Sequence, residues 1–412
     1  MGRLIFTGAS LLDGEHPARP GTTVVVDGNR IASVGDGASL GEPDDRIVDL
    51  GGRTLMPGMV TCHFHATYDE LGAKPVPFGL EQPPAYQALV AARNVETALR
   101  CGFTGVVSAG APHDIDASLK RAIEDGLVTG PRFVPGSRDV STTGHANDNS
   151  PWYWELQAWG AIRRVDGPDE VRKAVRDEIK RGAEIVKLFV TGGHGVMAPR
   201  EQMEMTRDEL TAAIDTAHER GALIRGHIAN KRALLMAVEA GIDVVDHGDE
   251  LDTEGIAALA ETGTFLVPSV FFPKTLAEQM GPGLGFTDAM RADVAYMCKM
   301  LPEADSAGVR LLLGDDYGAM GFPHGRYGAE LAVYVEDAGI APVDVIRWAT
   351  KHGAELLGRG DEVGTIAEGQ LADLLVVDGD PSRDVTLLAD PDNLRAIVKD
   401  GAFVRDALTV AS

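Results

Sequence analysis

The 412-residue sequence predicts an α/β protein, a (β/α)8 TIM barrel with a small β-sandwich domain built from both termini. Between residues 58 and 359, short apolar runs alternate with longer amphipathic stretches, which is typical of repeated βα units. At both ends the pattern changes to short runs separated by Asp-Gly and Gly-Gly turns, which is typical of antiparallel strands. The chain also exceeds the roughly 250 residues of a bare barrel.

The terminal segments are predicted to form one domain from residues 1–57 and 360–412. The first segment contains the runs RLIFTGASLLDG, TTVVVDGNRIASVGDG and RIVDLGGRTLMPG. The second contains GTIAEGQLADLLVVDGD and NLRAIVKDGAFVRD, which also have strand and turn patterns. Because both ends share this pattern, we expect them to build one domain, with the barrel of residues 58–359 inserted between them.

The barrel segment contains eight candidate strands. Amphipathic helical segments with a terminal glycine separate them, such as PPAYQALVAARNVETALRCG and PDEVRKAVRDEIKRGAE. Parallel strands with crossover helices predict a closed barrel, whose active site lies at the carboxyl ends of the strands. The candidate strands lie near residues 59–63, 104–108, 131–136, 185–190, 222–227, 243–247, 264–270 and 310–314.

Charge and cysteine content narrow the possible partners. With 62 acidic and 38 basic residues, the net charge of -24 would repel phosphate backbones and anionic lipid headgroups. We therefore expect a small-molecule substrate, and neither nucleic acid nor a membrane as a partner. The three isolated cysteines predict no disulfide framework, and the first residues lack a secretory signal pattern, so we expect a cytoplasmic protein.

Polar residues interrupt the apolar runs where several predicted strands end. His63 and His65 are two residues apart, so the alternation of a strand directs both imidazoles to one side. Later strand ends add Lys187, His227, His247 and Asp316. These ends converge at one mouth of a barrel, and imidazoles with a carboxylate suit Zn²⁺ and related divalent ions. Six such residues exceed what one tetrahedral ion with an open position uses, which predicts two ions.

With these motifs the sequence resembles the amidohydrolase superfamily, and within it the imidazolonepropionase-like and Xaa-Pro dipeptidase-like branch. The resemblance spans nearly the whole chain and rests on LMPGMVTCHFH, GFTGVVSAG, IVKLFVTGGHG, HIAN, AGIDVVDHG and GTIAEGQLADLLVVDGDP. It implies a binuclear metal centre with two groups of ligands. One ion would be held by His63, His65 and Asp316, and the other by His227 and His247.

The same resemblance implies that Lys187 carries CO₂ as a carbamate that bridges the two ions. An ammonium group is unfavourable beside two divalent ions, whereas a carbamate supplies two anionic oxygens. An ordinary salt-bridging lysine at a strand end is the alternative. The resemblance also implies a homo-oligomer and hydrolysis of the C–N bond of an amide, dipeptide, cyclic amide, carbamate or urea by a metal-bridging hydroxide.

Asp316 is predicted to be both a metal ligand and the catalytic proton carrier. It would take a proton from the attacking water and deliver it to the leaving nitrogen. Relatives usually have Gly-Thr-Asp at this strand, whereas this chain has Gly314, Asp315 and Asp316. Alignment favours Asp316 as the ligand, and Asp315 stays open as a substitute or as a residue that orients a ligand.

Further side chains are expected near the barrel mouth. His145 and His194 follow strands three and four, and each would polarise or anchor the substrate, with loop stabilisation as the alternative. By resemblance His145 lies on the substrate side, and it is also a catalytic candidate. The segment 152–159 holds three of the four tryptophans and would line a pocket, a lid or a subunit interface. The substrate-binding candidates are His145, His194, Trp152, Tyr153, Lys231 and Tyr317.

Three other functions are possible on the same fold. A mononuclear deaminase of a heterocycle usually has a glutamate shortly after the strand-five histidine, but the run from His227 to Lys231 has no carboxylate. A non-catalytic barrel scaffold would be expected to lack ligands, whereas all six positions are filled. A phosphotriesterase would use the same kind of hydroxide, but no residue selects that reaction.

Overall fold

The protein has a mixed α/β fold with parallel sheets, as the sequence predicts. The computed structural model describes residues 2–35, 42–73, 81–145, 148, 152–153, 160–196, 198–283 and 285–408. In the described residues the strands are β1 (Leu4–Leu11), β2 (Arg19–Asp27), β3 (Arg30–Gly35), β4 (Arg46–Asp49), β5 (Thr54–Pro57), β6 (Met59–Phe64), β7 (Phe103–Ser108), β8 (Arg132–Val134), β9 (Asp139–Ser141), β10 (Ile162–Arg164), β11 (Ile185–Phe189), β12 (Leu223–Ile228), β13 (Val244–His247), β14 (Phe265–Val267), β15 (Arg310–Leu311), β16 (Leu374–Val377), β17 (Leu394–Lys399) and β18 (Ala402–Asp406).

The α-helices lie mostly between the parallel strands. They are α1 (Pro84–Arg100), α2 (Ile115–Glu124), α3 (Pro168–Lys180), α4 (Arg207–His218), α5 (Lys231–Ala240), α6 (Thr253–Thr262), α7 (Phe271–Met280), α8 (Gly285–Ser306), α9 (Tyr327–Glu336), α10 (Pro342–Arg347) and α11 (Gly353–Leu356). A π-helical turn, Trp348–His352, joins the last two helices. Among the described residues, every helix is too short or too polar to serve as a membrane span.

Strands from both ends of the chain form one eight-stranded sheet. Its order is β18-β17-β16-β5-β1-β2-β3, and β4 pairs with β1. The two ends meet where β5 pairs antiparallel with β16, for example at Met56 and Leu375. Side chains such as Phe6, Val24 and Val376 pack together as one buried core. The domain boundaries and the two layers of a sandwich stay predictions.

The middle of the chain forms two parallel sheets. Their orders are β10-β9-β11-β12-β13-β14-β15 and β6-β7-β8, and they contain all eight candidate strands of the sequence. A parallel bridge between Gly136, just after β8, and Ile185 of β11 links the two sheets. A hydrogen bond of 2.6 Å from Cys62 N to Leu313 O links the edge strand β6 to the segment just after the edge strand β15. Closure of the eight strands into one barrel stays a prediction.

The register of β11, β12 and β13 determines which side chains lie on the same side. Lys187 pairs with Arg225, and His227 pairs with Asp246, so these four side chains share one side of the sheet. At His247 the φ is 73°, and the backbone leaves the strand conformation there. All five residues are buried, so their polar groups are stable only when they are paired or bound.

Local signals hold the connections after β12 and β13 in place. Asn230 caps α5 by accepting a hydrogen bond from a backbone N–H, and Asp252 caps α6 in the same way. Helix α5 ends at Gly241, whose φ of 93° favours glycine. Because both helices start within a few residues of the strand ends, His227 and His247 lie on well-anchored segments.

Candidate metal centre

The two histidines at the end of β6 lie against Asp316. His63 Nε2 is 3.1 Å from Asp316 Oδ1, and His65 Nε2 is 3.4 Å from the same atom. The opposite ring nitrogens are also held, since His63 Nδ1 is 3.1 Å from Asp246 Oδ1 and His65 Nδ1 is 2.8 Å from the Gly110 carbonyl oxygen. Hydrogen-bond partners of this kind orient an imidazole and direct its other nitrogen toward a metal ion.

Three further histidines extend this group into a histidine cluster (His63, His65, His194, His227 and His247). The ring of His247 lies at its centre, stacked on His194 with ring centroids 3.7 Å apart. Its centroid is also 4.5 Å from that of His227 and 5.3 Å from that of His63. His63, His247 and Asp316 each offer one ligand atom, and these atoms lie within 4.8 Å of one another. The fold therefore brings together residues that the sequence predicts as metal ligands.

Burial keeps three of these imidazoles neutral. It lowers the pKa of His65 to about 4 and that of His227 to about 3, and the positive charge of Lys187 acts in the same direction on both. Burial also lowers the pKa of His247 well below its usual value, and the charge of His194 adds to that effect. The neutral imidazole is the form that binds a metal ion.

His194, a predicted substrate-binding residue, differs from its neighbours. Burial disfavours its charged form, but Asp249 Oδ1, 2.8 Å from His194 Nδ1, raises its pKa to about 9. Its ligand atom lies within 4.8 Å of those of Asp315 and Asp316. His194 therefore places a cationic N–H donor beside the carboxylates that follow β15.

Lys187 lies in a charge cluster (Lys187, Arg225 and Asp246). Its Nζ is 2.7 Å from Asp246 Oδ2, and its side chain is only 2% exposed. Arg225 donates to the same oxygen at 3.0 Å through Nε and to Asp246 Oδ1 through a second nitrogen. Burial alone would raise the pKa of Asp246, but the charges of Arg225 and Lys187 lower it well below its usual value.

The charge cluster contains two residues that sequence reasoning missed. Asp246 accepts from His63 and thereby orients a predicted ligand, and Arg225 holds Asp246 in place. Strand alternation could have revealed both residues. Arg225 is two residues before His227, and Asp246 is directly opposite His227 in the neighbouring strand, so both side chains lie on the same side of the sheet as His227. Asp246 and Arg225 therefore act on the candidate metal centre indirectly, through His63.

The adjacent carboxylates Asp315 and Asp316 lie in different surroundings. Burial opposes ionisation of Asp316, but its contacts with His63 and His65 lower its pKa well below its usual value. Burial, together with the negative charge of Glu330, raises the pKa of Asp315 well above its usual value. Asp316, rather than Asp315, therefore faces the histidines of β6 as an ionised group.

Asp315 is held by the backbone instead. Its Oδ2 accepts hydrogen bonds from the N–H groups of Phe271 and Phe272, each at 2.9 Å. Its Oδ1 accepts from the N–H of Asp316 at 2.8 Å. Asp315 therefore anchors the start of α7 against the segment after β15. It also holds the backbone of Asp316, which agrees with the alternative that Asp315 orients a metal ligand.

His145 is held by a buried carboxylate at the end of β9. Its Nδ1 lies 2.5 Å from Glu204 Oε2. Glu204 also accepts from the Ser141 hydroxyl and from the Thr142 N–H, the latter at 2.7 Å. Burial raises the pKa of Glu204, whereas its contact with His145 acts in the opposite direction. Glu204 is a positioning residue that the sequence did not reveal, and a substrate contact of His145 stays a prediction.

The aromatic segment after His145 is described only in part. Trp152 is 96% exposed and Tyr153 is 69% exposed, and their rings pack edge to face with centroids 5.7 Å apart. Trp154 and Trp159 lie outside the described residues. The use of this segment as a pocket, lid or interface stays a prediction.

The last two substrate-binding candidates have partners of their own. The Lys231 ammonium, on the surface, lies 2.6 Å from carboxylate oxygens of both Asp252 and Glu254. Tyr317 is fully buried, and its hydroxyl donates to Glu330 Oε2 at 2.9 Å. Lys231 thus lies in a surface ion-pair group and Tyr317 in the core, and a substrate contact of either residue stays a prediction.

The residues present fit divalent metal ions. His247 Nδ1 is buried and has no hydrogen-bond partner among the described residues. Leaving a buried polar atom unpaired costs about 1–3 kcal/mol, so such atoms indicate a ligand-binding role. Neutral imidazoles together with the ionised Asp316 form a donor set that Zn²⁺ accepts.

Buried imidazoles and a carboxylate at the carboxyl ends of parallel strands define an α/β enzyme with a candidate metal centre. The Amidohydrolase family profile matches residues 54–404. The chain belongs to this family, which confirms the resemblance seen in its motifs, and it is a hydrolase that acts on carbon–nitrogen bonds.

Relatives and solved structures agree with this assignment. Ochratoxinase from Aspergillus niger is 26% identical over 427 residues, which cover 98% of this chain and 86% of that protein. Imidazolonepropionase from Cereibacter sphaeroides is 26% identical over 425 residues, which cover 96% and 98% of the two chains. The crystal structure of a Xaa-Pro dipeptidase with bound methionine superposes with a TM-score of 0.87 at 28% identity, covering 98% of this chain and 100% of that chain.

Proposed function

We propose that this chain hydrolyses the C–N bond of an amide, dipeptide, cyclic amide, carbamate or urea with two divalent metal ions, of which Zn²⁺ is the expected one. The observation that carries the proposal is the convergence of ligand atoms from His63, His247 and Asp316 within 4.8 Å. We further propose that the eight parallel strands close into one TIM barrel. Two contacts between the parallel sheets support that closure, one of Gly136 with Ile185 and one of Cys62 with Leu313.

The ligands divide into two groups in this proposal. His63, His65 and Asp316 would hold one ion, and His227 and His247 would hold the other. When bound, the ions polarise the substrate carbonyl and make water nucleophilic near neutral pH. The low pKa values of His65 and His227 support the assignment, because both rings are neutral at that pH.

Lys187 is proposed to carry a CO₂-derived carbamate, which would supply two anionic oxygens to the two ions. Its position supports the role, because its Nζ contacts Asp246, which also contacts His63, and Lys187 lies on the same side of the sheet as His227. The side chain is buried, as a bridge between the groups requires. Arg225 donates two hydrogen bonds to Asp246. The negative charge of Asp246 therefore keeps a cationic partner when Lys187 becomes anionic.

Asp316 and His194 are proposed to move and donate protons. Asp316 is ionised, so it accepts a proton from the attacking water and passes it to the leaving nitrogen. The Nε2 atom of His194 is buried without a partner among the described residues, and it is suited to donate to the oxygen of the attacked carbonyl. Hydrogen bonding of that oxygen stabilises the negative charge that develops during attack.

Metal analysis combined with a hydrolysis screen tests the proposal. The purified protein should contain two ions per chain and hydrolyse a member of a panel of N-acyl amino acids, Xaa-Pro dipeptides, cyclic amides and aryl ureas. Chelation should remove the activity, and added Zn²⁺ should restore it. Full activity with one ion per chain would favour a mononuclear deaminase, and activity that survives complete metal removal would refute the metal-dependent reaction.

A further inference from the structure

A cavity of about 490 Å³ lies beside the candidate metal centre. Gly193 and His194 line it; His194 belongs to the histidine cluster, and Gly193 contacts that cluster. The Gly193 carbonyl oxygen is 3.1 Å from His227 Nε2, and the His194 ring stacks on His247. The volume falls within the roughly 300–1,000 Å³ of small-molecule sites. A chemical group held in this cavity would therefore be adjacent to the metal ligands.

The lining of the cavity is mostly apolar. Helix α8 contributes side chains spaced three or four residues apart, so they share one side of the helix. Phe286 is 51% exposed, and the lining therefore reaches the protein surface. An apolar group that enters would be removed from water together with these side chains, which favours binding. The larger apolar side chains of the lining include Val270, Phe272, Phe286, Met290, Val294 and Met297.

The charged side chains in the lining neutralise one another. Arg200 donates to Asp293 through both terminal nitrogens, one of them at 3.1 Å. The remaining pair is His194 with Asp249, at 2.8 Å. Each charged residue that is described in the lining thus has a partner of opposite charge there. A second charge would enter this cavity without a counterion, so the cavity favours an uncharged group.

We infer that this cavity binds an uncharged apolar group of the substrate, of the size of one or two aromatic rings. The inference rests on the proposed function, because it assigns the substrate class of the same site. Since His194 belongs to both the cavity lining and the histidine cluster, and Gly193 in the lining contacts His227, the apolar group is attached close to the scissile bond. The substrate class is therefore an amide or related C–N compound with an aromatic substituent on its carbonyl or its nitrogen.

Two exposed alanines of α8 provide a matched pair of variants. Ala289 lines the cavity, whereas Ala295 is exposed on the same helix and does not line it. Ala289→Trp should reduce the space for an aromatic group, and Ala295→Trp should leave it unchanged. The probes are N-methyl-2-naphthamide, N-(2-naphthyl)acetamide and N-methylacetamide, which share an amide bond and differ in the position or presence of the naphthyl group.

The metal-loaded protein should prefer one naphthyl amide over N-methylacetamide in kcat/KM, measured by amine release. Ala289→Trp should lower that preference by about 10- to 100-fold, and Ala295→Trp should change it by less than about twofold. Equal loss in the two variants, or no loss in Ala289→Trp, would overturn the inference.

Calorimetric binding of the two naphthyl amides separates this inference from the proposed reaction. If the protein hydrolyses no amide but binds a naphthyl amide, and Ala289→Trp weakens that binding at least tenfold relative to Ala295→Trp, the cavity assignment stands and the reaction is wrong. If amides are hydrolysed but Ala289→Trp changes neither preference nor binding, the reaction stands and the cavity assignment is wrong. If neither naphthyl amide binds or is hydrolysed, the cavity assignment is also wrong.

Discussion

The histidine cluster and the charge cluster lie side by side at the strand ends, yet their polar atoms are satisfied in different ways. In the charge cluster, one anion, Asp246, is held between the cations Lys187 and Arg225. In the histidine cluster, His247 Nδ1 and His194 Nε2 have no partner among the described residues. Buried groups that are fully paired stabilise a structure, whereas buried groups that are left open bind something else.

The contact between His63 and Asp246 joins the two clusters. The charge cluster thereby orients His63, a predicted metal ligand of the histidine cluster. The histidine cluster supplies the chemistry. This division predicts that changes in the histidine cluster and Asp316 reduce turnover more than stability. Changes in the charge cluster should reduce stability, metal loading or both.

The largest effect on turnover is expected from Asp316→Asn. The change removes a proton carrier and a ligand while it preserves shape, so kcat should fall about 10²- to 10⁴-fold with most of the fold retained. Turnover and metal content should be measured at matched metal concentration.

The adjacent Asp315→Asn should reduce turnover less. Its free energy of unfolding should fall by about 1–3 kcal/mol, because an amide cannot accept hydrogen bonds from backbone N–H groups on both sides. If Asp315→Asn is inactive while Asp316→Asn still turns over, the proton carrier is Asp315.

The second effect concerns the proposed bridge at Lys187. Lys187→Ala should abolish loading of two ions and reduce turnover, but by less than Asp316→Asn, and a small carboxylic acid in the buffer should restore part of both, because the bridge needs only two anionic oxygens. Metal content and turnover, with and without the acid, give the result. Full activity of the alanine variant without the acid would rule out the carbamate.

Next in size is Arg225→Met, which leaves Asp246 buried with one cationic partner fewer. Breaking a buried ion pair by removing one partner lowers the free energy of unfolding by about 3–5 kcal/mol. The matched control is Arg53→Met, since Arg53 pairs with Asp378 where both side chains are about 40% exposed, and it should cost about 0–1 kcal/mol. Urea unfolding of both variants tests the difference. Equal losses would show that the charge cluster contributes no more than a surface pair.

A smaller effect is expected from pH on the metal-free protein. An unfolded histidine takes up a proton near pH 6.5, whereas the pKa is about 4 for His65 and about 3 for His227 in the folded chain. Above pH 6.5 these groups are neutral in both states. As the pH falls toward 4, only the unfolded chain binds protons at these sites, so the free energy of unfolding decreases.

His227→Asn tests this cause, because it removes one of the groups that titrate differently in the two states. Denaturant unfolding at several pH values should show a shallower decrease for His227→Asn than for the unchanged chain. His16→Asn, which alters a histidine side chain that is 68% exposed, is the control and should keep the original slope. Identical slopes for the two variants would contradict the assignment of this pH dependence to the histidine cluster.

The smallest effect is expected from Lys231→Met. The ammonium of Lys231 pairs with Asp252 and Glu254 at the surface, where solvent screens the interaction. Turnover and melting temperature should therefore stay close to those of the unchanged chain. A large rise in KM with unchanged melting temperature would instead support the prediction that Lys231 binds substrate.

The strands and the predicted ligands were accessible from the sequence because their signals are local. Apolar runs of β-branched residues mark β6, β11 and β12, and a single polar residue near the end of such a run is visible without coordinates. The spacing of His63 and His65 likewise follows from strand alternation. Asp316 was favoured over Asp315 by alignment, and the structure places it against both histidines.

Only the tertiary structure revealed what pairs with these residues. Asp246 and Arg225 resembled ordinary strand residues in the sequence, because their partners lie on neighbouring strands that are distant along the chain. The contrast between Asp315 and Asp316 also depends on partners from other elements, namely backbone N–H groups at α7 and imidazoles at β6. The sequence by itself determines which side chains stand at the strand ends, since that depends on short-range periodicity. Which of them are paired and which are left open for a ligand depends on long-range packing, and so only the folded chain decides it.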